Sequence, residues 1–225
     1  MSTTDQIMNR CFEKHPFEEL NSIDYNMLYT TVKLYLTKFP STGKHIFFDI
    51  GCNAGSFVRV LKDIGITQYI HCFEPHPVLS QKVIELYPHV IMNKFCIGSS
   101  NDNIDIHIPM HSVGLSSIIN RPVFSKLGQE IAVVNVKCQT IDAYCAEHNI
   151  DTIDFIKIDV EGAEKHVFMG ASVMLAAKKI KSGIFEVGQT LIDAGTSAEE
   201  LCTLLESYGY TIIKNISSSD YFFHI

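Results

Sequence analysis

Acidic residues close several apolar runs of this chain, and a glycine-rich turn follows one of them. Phe47-Phe48-Asp49-Ile50-Gly51-Cys52-Asn53-Ala54-Gly55 sets Asp49 just ahead of a G-x-x-x-G turn. His71-Cys72-Phe73-Glu74-Pro75 runs out at Glu74, and Ile184-Phe185-Glu186-Val187-Gly188 at Glu186. Asp154-Phe155-Ile156-Lys157-Ile158-Asp159-Val160-Glu161-Gly162 carries Lys157, Asp159 and Glu161 at alternate positions. Alternate residues of a strand share a face. Burying unpaired charge is costly, so three ionisable groups on one face of a core strand mark a polar site. A carboxylate there can orient or deprotonate a substrate hydroxyl, and Lys157 can tune it. Asp159 is the residue expected to receive or steer the proton, with Glu161 and Glu186 facing the same crevice.

The turn after Asp49 says which cofactor to expect. Glycines allow a ligand close to the backbone, and Gly55 can open a helix. A dinucleotide site uses G-x-G-x-x-G to hold a pyrophosphate. Here the spacing is G-x-x-x-G, and Asp49 would repel a pyrophosphate while suiting the amino end of a methionine. The expected cofactor is therefore S-adenosylmethionine rather than a nicotinamide. Glu74 stands where an acidic residue, roughly 20 positions beyond the turn, binds ribose hydroxyls. The ten histidines form no metal-ligand pattern. His71, His76 and His111 read as surface or packing residues. No metal is expected; if one bound, Asp159, Glu161 and Glu186 are the hard oxygen donors magnesium would select.

The surrounding elements must bring these run ends together. Apolar periodicity predicts strands at 45–50, 68–74, 89–97, 153–159, 181–187 and 210–214. It predicts helices at 22–38, 55–64, 78–86, 140–148, 162–177 and 197–207. Residues 1–20 read as polar and loosely held, and Pro40–Gly43 as a turn. The segment 102–136 interrupts the rhythm with two strand-like runs around a Ser/Gly/Pro stretch, and 113–121 is expected to be a mobile part of an acceptor site. Alternating strands and helices imply a Rossmann-like, doubly wound, mostly parallel α/β sheet of seven strands. The last run, 220–225, is expected to add an antiparallel edge strand. Residues 1–43 read as a helical extension and 44–225 as the catalytic domain. In an open parallel sheet the ligand crevice lies at the carboxyl ends of the strands, which is where the acidic residues fall.

Composition narrows the partners. Hydrophobic residues make up 46% and charged residues 19%, a globular balance. The formal charge of −7 comes with no basic stripe, which argues against duplex nucleic acid. Seven cysteines without C-x-x-C suit buried thiols in a reducing compartment. The opening residues have no apolar core, so no signal peptide is expected. No apolar run approaches the roughly 18 residues of a membrane span, and a cytosolic location is expected.

With these motifs placed, the chain resembles the FkbM family of S-adenosylmethionine-dependent methyltransferases. The matching stretches are FFDIGCNAGSF, HCFEPHP and VKCQTIDAYCAEHNIDTIDFIKIDVEGAEKHVFMGA, with Gly114-Leu-Ser-Ser117 ahead of the last. The resemblance covers roughly 44–190. It implies that Asp49, Gly51, Asn53 and Gly55, with Ser56 and Phe57, hold the methionine part of the cofactor. It implies that Glu74, next to Pro75, binds the ribose, and that Ile97 and Asp102 lie near the adenine. Lys157, Asp159 and Glu161 would line the methyl-transfer site. The expected activity is O-methylation of a small molecule, above all a sugar or glycan. A ribose hydroxyl of RNA is an alternative acceptor, and a catalytically silent cofactor-binding scaffold an alternative of another class.

Overall fold

The computed structural model describes residues 22–39, 44–214 and 219–225. The expected loose segment 1–20 and the turn at 40–43 lie outside them. Ten strands run in chain order among the described residues: β1 Phe47–Ile50, β2 Ile70–Phe73, β3 Ile91–Asn93, β4 Cys96–Ile97 and β5 Asn103–Pro109, then β6 Ile131–Gln139, β7 Ile153–Ile158, β8 Ile180–Glu186, β9 Thr211–Ile213 and β10 Asp220–His224. Seven form one sheet in the order β3-β2-β1-β7-β8-β10-β9. The first five are parallel, and β10 runs antiparallel to both β8 and β9. β1 and β7 therefore sit side by side at the centre, where the chain order reverses. That is the position at which an open α/β sheet leaves its crevice.

Neighbouring residues on the central strands face opposite layers, as the strand period requires. Phe48, Ile156, Phe185 and Phe223 pack into one core layer, against Tyr144, Val167 and Phe168. Phe47, Phe155 and Ile184 pack into the other, against Phe57, Val58 and Leu61 of the helix Ser56–Ile64. The helix Ser22–Lys38 covers that second layer through Leu28, Val32 and Tyr35, spaced to share one face. The six cysteines among the described residues are free and buried. No helix among them is long and apolar enough to cross a membrane.

The structure departs from the sequence reading in three places. The run 89–97 is not one strand. The chain leaves the main sheet after β3, and β4 pairs with β6 in a separate three-stranded sheet, β4-β6-β5. Phe95 makes the crossing by packing its ring on Phe73 and Tyr144. The helix expected at 162–177 breaks into Glu164–Met169 and Ser172–Ala176. The elbow is fixed by two contacts. A Cβ on Gly170 would lie only 2.0 Å from the Gly98 carbonyl oxygen. Asp142 accepts from the backbone N–H groups of Val173 and Met174, capping the second piece. Finally, β10 is antiparallel as expected but is not an edge strand; it lies between β8 and β9. Phe223 is wholly buried against Phe168, Phe185 and Tyr210, which holds β10 inside the sheet.

Candidate active site

Asp49 and Lys157 are register partners on β1 and β7. The Lys157 ammonium is 3.7 Å from Asp49 Oδ1 and donates to Asp159 Oδ2 at 3.0 Å. Burial pushes the Asp49 carboxyl up to about 6, against the pull of Lys157. Burial alone would lower the Lys157 ammonium, but the two carboxylates raise it well above the usual lysine range. Lys157 is therefore a fixed cation that holds two acidic strand ends together.

Beyond β7 the backbone turns sharply. Glu161 is left-handed at φ 57 and is followed by Gly162 at φ 97. The wholly buried Glu164 clamps this turn, its Oε1 accepting from the N–H groups of Val160 and Gly162. The turn redirects Glu161 so that Asp159, Glu161 and Glu186 bring carboxylate oxygens within 4.8 Å of one another. Two of the three have a cation: Lys157 holds Asp159, and Arg121 Nη1 lies 3.1 Å from Glu161 Oε2. Burial, then the neighbouring carboxylates, raise Glu161 to about 7, with Arg121 opposing. Burial, then repulsion from Asp159, Glu161, Glu164 and Asp220, pushes Glu186 up to about 9, well above the usual carboxylate range.

The cleft beside this group is lined by Gly51, Asn53, Glu74, Pro75, Ile97, Asp159 and Glu161. Gly51 shows why glycine is needed there. Its φ is +74, and a Cβ would fall 1.9 Å from the Asp159 carbonyl oxygen, so the two motif loops touch backbone to backbone. Glu74 accepts from the N–H groups of Asn53 at 3.0 Å and His76 at 2.9 Å. Burial raises it to about 7 despite those bonds.

Several residues inferred from resemblance fall elsewhere. Phe57 is buried in the core layer beneath the sheet, so its side chain makes no part of the cleft. Gly55 faces Tyr87 and Val83, and neither it nor Ser56 lines the cleft. Asp102 is exposed and borders a separate depression with Lys137 and Glu147. Asp49 lies under the cleft, wholly buried, rather than in its wall. In each case the motif is local, while side-chain direction is set by distant packing. His71 pairs with the Tyr144 hydroxyl at 2.8 Å, and His76 caps the helix Pro77–Leu86 through Nδ1, so both are packing residues; His111 is exposed.

The sequence reading expects the segment 113–121 beside the site but gives Arg121 no role of its own. Val113, Gly114, Ser116, Ser117 and Ile118 line the cleft opposite the strand ends. The segment is held: Ser117 exchanges backbone hydrogen bonds with His107, and Arg121 Nη2 donates to the Leu115 carbonyl at 2.7 Å. The one available signal was a lone arginine within the irregular stretch, next to Pro122.

A seven-stranded sheet of this order, with acidic and glycine residues at its central strand ends, defines a Rossmann-like methyltransferase fold. The N-methyltransferase NodS from Bradyrhizobium japonicum WM9, solved with S-adenosyl-L-homocysteine, superposes with a TM-score of 0.52 at 12% identity, over 98% of this chain and 96% of that one. The METTL16 methyltransferase domain gives 0.51 at 13% identity, over 92% and 69%. At these identities the likeness is one of fold. Residues 49–212 match the family described as Methyltransferase FkbM domain, and the chain belongs to that family. The part so matched is a methyltransferase domain. The 2-O-methyltransferase NoeI of Sinorhizobium fredii (strain NBRC 101917 / NGR234) is 31% identical over 144 residues, a match spanning 58% of this chain and 58% of that relative.

Proposed function

We propose that the protein transfers the methyl group of S-adenosylmethionine to a hydroxyl oxygen of a small molecule, a sugar or glycan. The observation that carries this reading is the convergence of Asp159, Glu161 and Glu186 at the end of the central strands, beside the glycine turn. Bound in the cleft, the cofactor supplies an electrophilic methyl. The chain must then align a hydroxyl and dispose of its proton. Carboxylates near neutral pKa suit that task, because a base works best when its pKa lies near the working pH. Glu161, at about 7, is matched to it, and Asp159 and Glu186 adjoin it. Lys157 and Arg121 limit the repulsion within the group.

Glu74, on the cleft wall with both oxygens fixed by backbone N–H groups, holds the ribose hydroxyls. Gly51 and Asn53 provide the backbone against which the methionine part rests, and Ile97 lies toward the adenine. Positioning the hydroxyl in line and excluding water supply much of the rate. The Sinorhizobium relative is a 2-O-methyltransferase, which supports oxygen as the acceptor atom; the fold likeness to an N-methyltransferase does not weigh on that choice. The test is to incubate the protein with labelled S-adenosylmethionine and a panel of glycans, nucleosides and small amines. Label on a sugar oxygen is the expected result. Label on nitrogen, or on RNA ribose alone, would overturn the acceptor.

A further inference from the structure

We propose that Arg121 is a positioning residue of the methyl-transfer site: it fixes the Glu161 carboxylate beside the cleft and, through Leu115, straps the 113–118 segment over the cofactor. The inference rests on the cleft being the cofactor site, as proposed above.

Arg121 is 3% exposed, unusual burial for a guanidinium. One arm of its fork reaches Glu161 and the other the Leu115 carbonyl, while its plane lies 5.0 Å from the Phe124 ring centre. A planar guanidinium presents its donors in a rigid fork and so sets two acceptors at a fixed relation, whereas an ammonium is a point charge on a flexible stem. Both acceptors matter to the cleft. Glu161 stands on a left-handed turn that its own backbone does not favour, and Arg121 opposes the charge of Asp159 and Glu164 around it. Leu115 sits within the 113–118 segment, where a Cβ on the neighbouring Gly114 would lie 3.5 Å from the Asn53 amide nitrogen. One side chain thus links the roof, the glycine-turn loop beneath it and the acidic turn after β7. Arg121 therefore couples closure of the cofactor cleft to the placement of negative charge at the methyl end.

Two ligands read the two halves of this statement. S-adenosylmethionine has a positive sulfonium, and S-adenosylhomocysteine has a neutral thioether in the same place. Their affinity ratio reports the charge positioned at the methyl end, and the product's dissociation rate reports closure of the roof. In Arg121→Met the ratio should fall and dissociation should quicken, each by about tenfold, the worth of one charge-assisted hydrogen bond. Glu161→Gln should lower the ratio by a similar factor. The double variant should lower it no further, because both changes break one link. Hydrogen exchange at Leu115, Ser116 and Ser117 should rise in Arg121→Met. If that variant fails to fold, Arg121→Lys serves, since it retains charge but lacks the rigid fork that spans both acceptors; it should show the same faster dissociation.

An unchanged ratio and dissociation rate in a folded Arg121 variant would overturn the proposal, as would losses that simply add in the double variant. Glu74→Ala separates the two readings. If it abolishes binding while Arg121 variants bind like the parent, only the Arg121 proposal fails. If Glu74→Ala binds normally, the cleft assignment fails and takes this proposal with it.

Discussion

Asp49 and Lys157 face each other across the two central strands, 3.7 Å apart, with the Asp49 carboxylate wholly buried. Lys157 also holds Asp159, so one ammonium joins the glycine-turn motif to the acidic motif that begins more than a hundred positions later. Removing it leaves a buried carboxylate without its cation. Lys157→Met should therefore cost about 3–5 kcal/mol of folding stability, the usual penalty of breaking a buried pair on one side. Urea denaturation would measure it. A loss below about 1 kcal/mol would mean that water reaches Asp49 and the pair is a surface contact.

Glu74 joins the cleft to two backbone donors, Asn53 and His76. Glu74→Ala removes the carboxylate proposed to meet the ribose and strands both N–H groups. Affinity for S-adenosylhomocysteine should fall by about 1.5–3 kcal/mol, or roughly 10–150-fold. Calorimetry on the purified protein checks this, and unchanged affinity would remove Glu74 from the site.

Glu186 makes stability depend on pH in a specific direction. Its folded pKa, about 9, lies above the ordinary 4.5. Between those values the folded protein holds a proton that the unfolded chain releases, so rising pH favours unfolding through this group. Replacing it with glutamine removes the effect. The stability of Glu186→Gln relative to the parent should climb as pH rises from about 5 to 9, with a slope of at most about 1.4 kcal/mol per pH unit for one proton. Denaturant titrations at several pH values give the slope. A difference independent of pH would show that Glu186 is ionised in the folded state.

Asp159 divides an enzyme from a scaffold. Asp159→Asn keeps the shape but removes a base and the partner of Lys157. Turnover on the true acceptor should fall by roughly 10²–10⁴, the range of positioned acid–base catalysis. Cofactor affinity should change little. If saturating cofactor restores the rate, Asp159 is a cofactor ligand; if Glu161→Gln shows the larger loss, Glu161 is the base.

Gly51→Ala tests the contact between the two motif loops. The added methyl would meet the Asp159 carbonyl at 1.9 Å, at a residue whose φ is +74. Strain and overpacking together should cost about 3 kcal/mol, which in a domain of this size lowers Tm by roughly 6–12 °C. A shift under about 2 °C would show that the loops move apart freely.

By itself the sequence determined the alternation of strands and helices, the acidic ends of the central strands and the glycine turn, because each is a local pattern of period, charge or backbone freedom. It placed Glu74 and Asp159 on the cleft wall for that reason. Tertiary structure decided what local pattern cannot carry. Phe57 belongs to the core because the helix Ser56–Ile64 rotates it toward Phe155, a residue far away in sequence. β10 is interior because Phe223 finds Phe168, Phe185 and Tyr210, not because of its own composition. The 162–177 helix breaks because the Gly98 carbonyl crosses Gly170. Glu161 leaves the strand alternation through a left-handed turn, and its partner Arg121 comes from the least patterned stretch of the chain. Partners separated by forty residues leave no periodic trace, since only the folded chain brings their charges within reach of each other.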